Sequence, residues 1–345
     1  MAGRRLRRSF IRWLLLLLVP AVAPGACADG KTLADLVFTE YSEAADASEL
    51  VRRLRSPLDA ARLRREAAAS GTTLAGQLIR LADERFLVYV PSQHAAAGYG
   101  ILVFVPPWQD ARLPPGWGPV LDRHGVIFVT AARSGNDESP FARREPLALL
   151  AARNIMERYP VDAERVYVAG FSGGSRIALR LALGYPDLFR GAVLNAGSDP
   201  VGSADVPLPP RDLLLRFQDR THIVYVTGER DTDHTSGDLQ SARSLRQWCV
   251  HPVDSFLDPR IGHEVATPAS LSRALGSLAS ATRPDEARLA ACRQAIDAAA
   301  AERLREVETL IERGRTNEAR RRLREVDARF GGLAAPRSLE LASAP

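Results

Sequence analysis

A serine hydroxyl attacks a carbonyl only when a neighbouring base takes its proton and a carboxylate orients that base. In this chain of 345 residues, Ser172 stands in Gly170-Phe171-Ser172-Gly173-Gly174, a match to G-x-S-x-G. Downstream, Gly228-Glu229-Arg230-Asp231-Thr232-Asp233-His234 offers two aspartates, and Asp258-Pro259-Arg260-Ile261-Gly262-His263-Glu264 offers an imidazole. Brought together, such groups support nucleophilic attack by Ser172, with proton transfer through the imidazole. Glycines beside Ser172 leave room for a serine in a strained turn. The Gly173 N–H is placed to meet a developing oxyanion.

The flanking residues predict the elements that would present these groups. Val166 to Ala169 is a β-branched and aromatic run suited to a buried strand. Arg176 to Leu183 reads as a helix, stopped by Gly184 and Pro186. Strand, tight turn and helix are the context that a serine elbow requires. Further strands are predicted at Ile101–Val105, Val126–Thr130, Ala192–Leu194, Ile223–Thr227 and Asp254–Leu257, with helices at Glu145–Arg158, Ser241–Trp248 and Pro268–Leu278. This alternation predicts an α/β class, a doubly wound, mostly parallel sheet. Reactive loops in such a sheet lie beyond the carboxyl ends of the strands, which selects the loops after Thr227 and Leu257. His263 is then the favoured base. His251 precedes its strand, His222 begins one, and His94 and His124 sit on connections. His234 lies in a suitable loop but is needed less if His263 is present. Earlier in the chain, residues 31–70 read as helical, with Ser56-Pro57-Leu58-Asp59 as a start signal and Gly71 as the stop. Leu78–Leu81 and Phe86–Val90 read as an antiparallel hairpin.

Two stretches, Val161-Asp162-Ala163-Glu164-Arg165-Val166-Tyr167-Val168-Ala169-Gly170-Phe171-Ser172-Gly173-Gly174 and Tyr185-Pro186-Asp187-Leu188-Phe189, resemble the α/β-hydrolase superfamily. The likeness is to its secreted esterase branch of polyhydroxybutyrate depolymerase-like and feruloyl-esterase-like proteins, over about residues 72–280. It implies an α/β-hydrolase fold and a Ser172, Asp231, His263 triad in the superfamily's chain order, with Gly-x-x-Asp favouring Asp231 over Asp233. It implies an ester substrate, small or polymeric, and no cofactor. Polyester, feruloyl, acetyl-sugar and small acyl esters stay open, as does a peptidase. Many relatives carry His-Gly after the strand corresponding to Ile101–Val105, whereas this chain has Pro106-Pro107-Trp108-Gln109. Prolines have no N–H to donate, leaving Trp108 or Gln109 as the second oxyanion donor. If that loop fails, the alternatives are a catalytically silent, hydrolase-like binding protein or an envelope scaffold. Trp108 and Trp117 are candidate pocket walls, Arg133-Ser134-Gly135-Asn136-Asp137 a candidate substrate loop, and Asp199–Pro210 either a lid or a surface excursion.

Residues 1–28 have the form of an export signal: five arginines, the apolar run Trp13–Val19, then Ala26-Cys27-Ala28. Arg7-Arg8 also fits a twin-arginine signal, and a lipoprotein form acylated at Cys27 ranks second. An exported protein, periplasmic or extracellular, is expected, without a stable membrane span. The chain has 46 Lys+Arg and 41 Asp+Glu; without the five leader arginines the two balance, which removes the electrostatic case for nucleic acid. No Cys/His spacing suggests a metal site. Beyond the leader only Cys249 and Cys292 remain, to be paired or buried as thiols. The expected organisation is a signal peptide (1–28), an N-terminal helical segment (29–71), the α/β-hydrolase domain (72–280) and a tetratricopeptide-like helical hairpin (281–345). That hairpin is expected to pack on the hydrolase, with a protein partner as its second use.

Overall fold

The computed structural model describes residues 29–280 and 284–343. The leader read in residues 1–28, Cys27 included, lies outside the described residues. Eight strands form one sheet: β1 (Lys31–Leu36), β2 (Phe86–Val90), β3 (Tyr99–Val105), β4 (Val126–Ala131), β5 (Val161–Phe171), β6 (Gly191–Asn195), β7 (His222–Gly228) and β8 (Val253–Asp258). Their spatial order is β1-β2-β4-β3-β5-β6-β7-β8. All neighbouring pairs from β4 to β8 are parallel, and β2 runs antiparallel to both β1 and β4. This is the mostly parallel α/β sheet expected from the alternating pattern, and it fits the hydrolase fold that the resemblance implied.

Helices cover both faces. They are α1 (Ala47–Leu54), α2 (Pro57–Ala69), α3 (Gly118–His124), α4 (Glu145–Arg158), α5 (Gly173–Gly184), α6 (Arg211–Arg220), α7 (Thr232–Gln247) and α8 (Pro268–Ala279). The C-terminal helices are α9 (Glu286–Glu312), α10 (Thr316–Phe330) and α11 (Arg337–Ser343). Alternate residues of β3 feed opposite cores. Ile101, Val103 and Val105 join the cluster that holds α4 and α5, while Leu102 and Phe104 join the one beneath α3 and α8. A strand buried on both faces reads as an unbroken apolar run, and each such side chain contributes about 1.5–3 kcal/mol.

Two readings near the N-terminus need correction. Lys31–Leu36 is not helical; it is the edge strand β1, paired with Val90 to Phe86 of β2. Its residues are exposed or half-buried, so its sequence carries no apolar alternation, and only the distant partner makes it a strand. The hairpin reading also fails. Leu81–Asp83 forms a 3₁₀ turn, and β2 finds its neighbours in β1 and β4. The local pattern marked an extended segment at Phe86–Val90 without identifying its partners. The α2 start is as read: Ser56 caps the helix and Pro57 opens it.

The C-terminal helices pack on the α/β layer. Phe330 meets Trp248 edge-on with ring centroids 5.8 Å apart, and Asp327 accepts from the backbone N–H of Leu58 at 3.1 Å and from the Ser56 hydroxyl. Arg211 pairs with Asp297, and Arg293 donates to Gln218 and Asp219. Cys249 and Cys292 form a disulfide spanning 43 positions. Val201, Val206 and Leu208 of the Asp199–Pro210 excursion are buried, and Leu208 O accepts from Gly332 N at 3.0 Å. That segment is a wedge between core and tail. Closing the loop of 43 residues between Cys249 and Cys292 in the unfolded chain is worth about 4 kcal/mol. The Cys249→Ser, Cys292→Ser double variant is therefore expected to lose about 4 kcal/mol of unfolding free energy, as read by linear extrapolation of urea unfolding with the slope fitted for each form.

Candidate active site

Ser172 sits between β5 and α5 with φ 53° and ψ −123°. A β-carbon in the left-handed region costs about 1–3 kcal/mol unless the surroundings over-determine it. Here they do. The Ser172 N–H donates to Asn195 O at the end of β6 at 2.8 Å, and Ser172 O accepts from Ser175 N at 2.9 Å. At Gly174 an added Cβ would overlap the carbonyl of Val105, and at Gly173 it would overlap the Asn136 amide. The elbow is therefore pressed against β3 on one side and the Arg133–Asp137 loop on the other.

The loops after β7 and β8 come together beside it. Glu229 N donates to Asp258 O at 2.9 Å and Arg230 N to Ile261 O at 2.9 Å. Asn195 braces the second loop: its Nδ2 donates to Val226 O at 2.8 Å, and its Oδ1 accepts from Ala266 N at 2.7 Å. The outcome is a relay. Ser172 Oγ lies 2.9 Å from His263 Nε2, and His263 Nδ1 lies 2.7 Å from Asp231 Oδ2. An ionised carboxylate only accepts, so the Nδ1–H is on His263 and its Nε2 is free to accept the serine proton. Asp233 is in the first turn of α7 and is not part of this relay.

One member was underrated in the sequence. His234 donates from Nδ1 to the other Asp231 oxygen at 2.8 Å, and its ring stacks on His263 with centroids 4.0 Å apart and planes 15° apart. Asp231 is the N-cap of α7, which begins at Thr232, well before the Ser241 start read from the sequence. A helix start there puts residue i+3 beside the cap, and Asp231-x-x-His234 was the available signal. Burial alone would raise the Asp231 pKa; the two imidazole N–H groups and their charge outweigh it, and the carboxylate is held below its ordinary value. Asp231, His234 and His263 each offer an atom within 4.8 Å of the others. Both Nδ1 atoms already serve the carboxylate, so an ion would have to replace those bonds.

The loop after β3 is anchored through its carbonyls. Pro107 O accepts from Asn136 N at 3.0 Å, Gln109 O from Arg133 N at 2.6 Å, and Pro106 O from Arg144 Nη2 at 3.0 Å. Among the described residues the N–H groups of Trp108 and Gln109 make no hydrogen bond with the protein. Gly173, first residue of α5, has no intrahelical partner for its own N–H. Trp117 is a core residue, donating from Nε1 to Ala266 O at 2.9 Å, and does not line a pocket at the serine.

The eight-stranded sheet, with a serine in a strained elbow after β5 and a carboxylate and an imidazole on the loops after β7 and β8, has the α/β-hydrolase fold. No family model matches the chain. A poly(3-hydroxybutyrate) depolymerase from Ralstonia pickettii is 28% identical over 98 residues, which cover 24% of this chain and 20% of that protein's length. Among solved structures, an S-formylglutathione hydrolase from Staphylococcus aureus has a TM-score of 0.45 at 14% identity, covering 56% of this chain and 92% of that one. A ferulic acid esterase has a TM-score of 0.43 at 18% identity, covering 56% and 89%.

The geometry separates the two aspartates. Asp231→Asn is expected to lower kcat by roughly 10³–10⁴-fold, through loss of the correct imidazole tautomer, while Asp233→Asn stays within about twofold. The same kinetics on Asn195→Ala should show a fall in kcat larger than any rise in KM. A depressed carboxylate contributes stability that is fully present above the unfolded aspartate value of ~3.9 and is lost as pH falls through the lower native value. Asp231→Asn should accordingly flatten the acid-side decline in melting temperature.

Proposed function

We propose that the protein is an exported serine hydrolase that cleaves carboxylic esters through an acyl-enzyme on Ser172. The observation that carries this reading is the 2.9 Å approach of Ser172 Oγ to His263 Nε2, backed by Asp231 at 2.7 Å. Ser172 Oγ attacks the carbonyl as His263 takes its proton; the imidazolium then protonates the leaving alcohol, and Asp231 stabilises the charge. Water, activated by the same imidazole, releases the acid. His234, stacked on His263 and bonded to the second Asp231 oxygen, limits rotation of both groups. The N–H groups of Gly173 and of Trp108 or Gln109 meet the oxyanion. No cofactor enters this chemistry.

An ester, rather than a peptide, is favoured by the short likeness to a poly(3-hydroxybutyrate) depolymerase, and the substrate is written here as a small or polymeric ester. Export rests on the form of residues 1–28 and on the Cys249–Cys292 disulfide, a bond that persists in oxidising compartments. Among the described residues no helix is long and apolar enough to cross a membrane. A second reading, a silent binding protein, is favoured by Pro106-Pro107, which remove two N–H donors from the oxyanion loop.

Hydrolysis of 4-nitrophenyl acetate by the purified protein decides between them. Ser172→Ala is expected to lower kcat by roughly 10⁴-fold or more, and a fluorophosphonate probe should label the wild type but not the variant. Turnover that survives Ser172→Ala would remove the serine from the mechanism. A wild type that neither turns over ester nor takes the label would leave the binding reading.

A further inference from the structure

A cavity of about 530 Å³ adjoins the elbow and shares Gly173 with it. Its walls include Arg55, Asn136, Phe141, Arg144 and Arg176. The charges there are unequally compensated. Arg180 is paired with buried Glu145 at 2.6 Å and Arg176 with Asp199 at 3.2 Å. Arg55 has Asp59 only at 4.0 Å; its guanidinium lies 5.4 Å over the Phe141 ring, and its Nε is buried without a partner. Arg144 is 4% exposed and, among the described residues, has no carboxylate within 4 Å. Its Nε and Nη2 donate to Ser134 O and Pro106 O, and its Nη1 has no hydrogen-bond partner among those residues. Asp205, the lining carboxylate without an ion pair among the described residues, is exposed, so water screens it far more than it screens Arg144.

A buried cation without a counter-ion is costly, and neutral carbonyls compensate it only partly. Burial holds the Arg144 guanidinium down at about 10, against the upward pull of Glu145 and Glu138, neither of which reaches it as an ion pair. The same cavity receives the N-terminal end of the twelve-residue helix α5 at Gly173, where the helix dipole and free N–H groups also favour negative charge. Phe141 and Ile177 supply an apolar wall.

Building on the serine hydrolase reading, we propose that this cavity binds a carboxylate of the substrate, so that the preferred substrates are esters carrying a carboxylate a few bonds from the scissile carbonyl. Arg55 and Arg144 hold that carboxylate, and the apolar wall takes the intervening methylenes.

Matched ester pairs test this. Phenyl hydrogen succinate against phenyl butyrate places the charge on the acyl side; 3-acetoxybutyrate against its methyl ester places it on the alcohol side. In at least one pair kcat/KM should favour the anion by about tenfold or more, as expected of a charge-assisted bond to a shielded guanidinium. That ratio should fall with added NaCl and drop to one or below in Arg55→Glu. Because Arg144 also supports the oxyanion loop, Arg144→Lys serves as the second variant and should lower the ratio while keeping a charge. Ratios at or below one in both wild-type pairs, or a preference that neither salt nor Arg55→Glu alters, overturn the proposal while leaving the hydrolase reading intact. If no ester is turned over, that reading fails by itself. Calorimetric binding of the same pairs to Ser172→Ala protein then decides the cavity alone, equal affinity for both members overturning it.

Discussion

The backbone of Ser172 is the constraint on which the rest depends. With φ at 53° and ψ at −123°, it stands where an L-residue is held only by its surroundings. Three things hold it: the carbonyl of Asn195, the close pressing of Gly174 on Val105, and the helix that starts at the next residue. Each belongs to a different strand or helix, so the conformation exists only when β3, β5, β6 and α5 are all in place. The hydroxyl is thereby lifted off the end of the sheet, at the point where chain order reverses between β3 and β5. Open α/β sheets leave a crevice at such a switch point.

Around that point the structure uses few residues for several tasks. Asn195 accepts from Ser172 through its backbone and ties β7 to the His263 loop through its amide. Asp231 caps α7, orients His263 and receives His234. Asp238, in α7, accepts from Gly197 N and Ser198 N and from the Thr227 hydroxyl, which fixes the turn beneath the serine to the strand that leads to Asp231. Such sharing makes the site rigid, because a side chain bonded at both ends has little rotamer freedom left to lose.

The C-terminal helices extend this economy outward. Their contacts reach α2 at Asp327, α6 at Arg293 and the Asp199–Pro210 wedge at Gly332. A segment with a charge-rich, Ala-rich composition thus finds its apolar complement on the outer surface of the α/β layer, through Leu304, Val307, Leu323 and Phe330.

The elbow, the α4 helix and the inner strands were legible because their signals are local. Apolar runs, caps and glycines near Ser172 state what each segment does without reference to any other. The loops that carry His263 and Asp231 were legible for a related reason, since strand ends fix which edge of a parallel sheet a loop occupies, while the preference for Asp231 over Asp233 came from the family resemblance. The edge strand β1, the partners of β2, the stacking of His234 on His263 and the arginine-lined cavity were not. Each is a relation between segments far apart in the chain: β1 pairs with residues 50 to 59 positions on, and Arg55 meets the ring of Phe141. The amino-acid order by itself determined the inner strands, most of the helices and the residue types that stand at their ends. Only the tertiary structure decided which of those ends meet, because pairing and burial are set by surfaces that do not exist until the sheet has assembled.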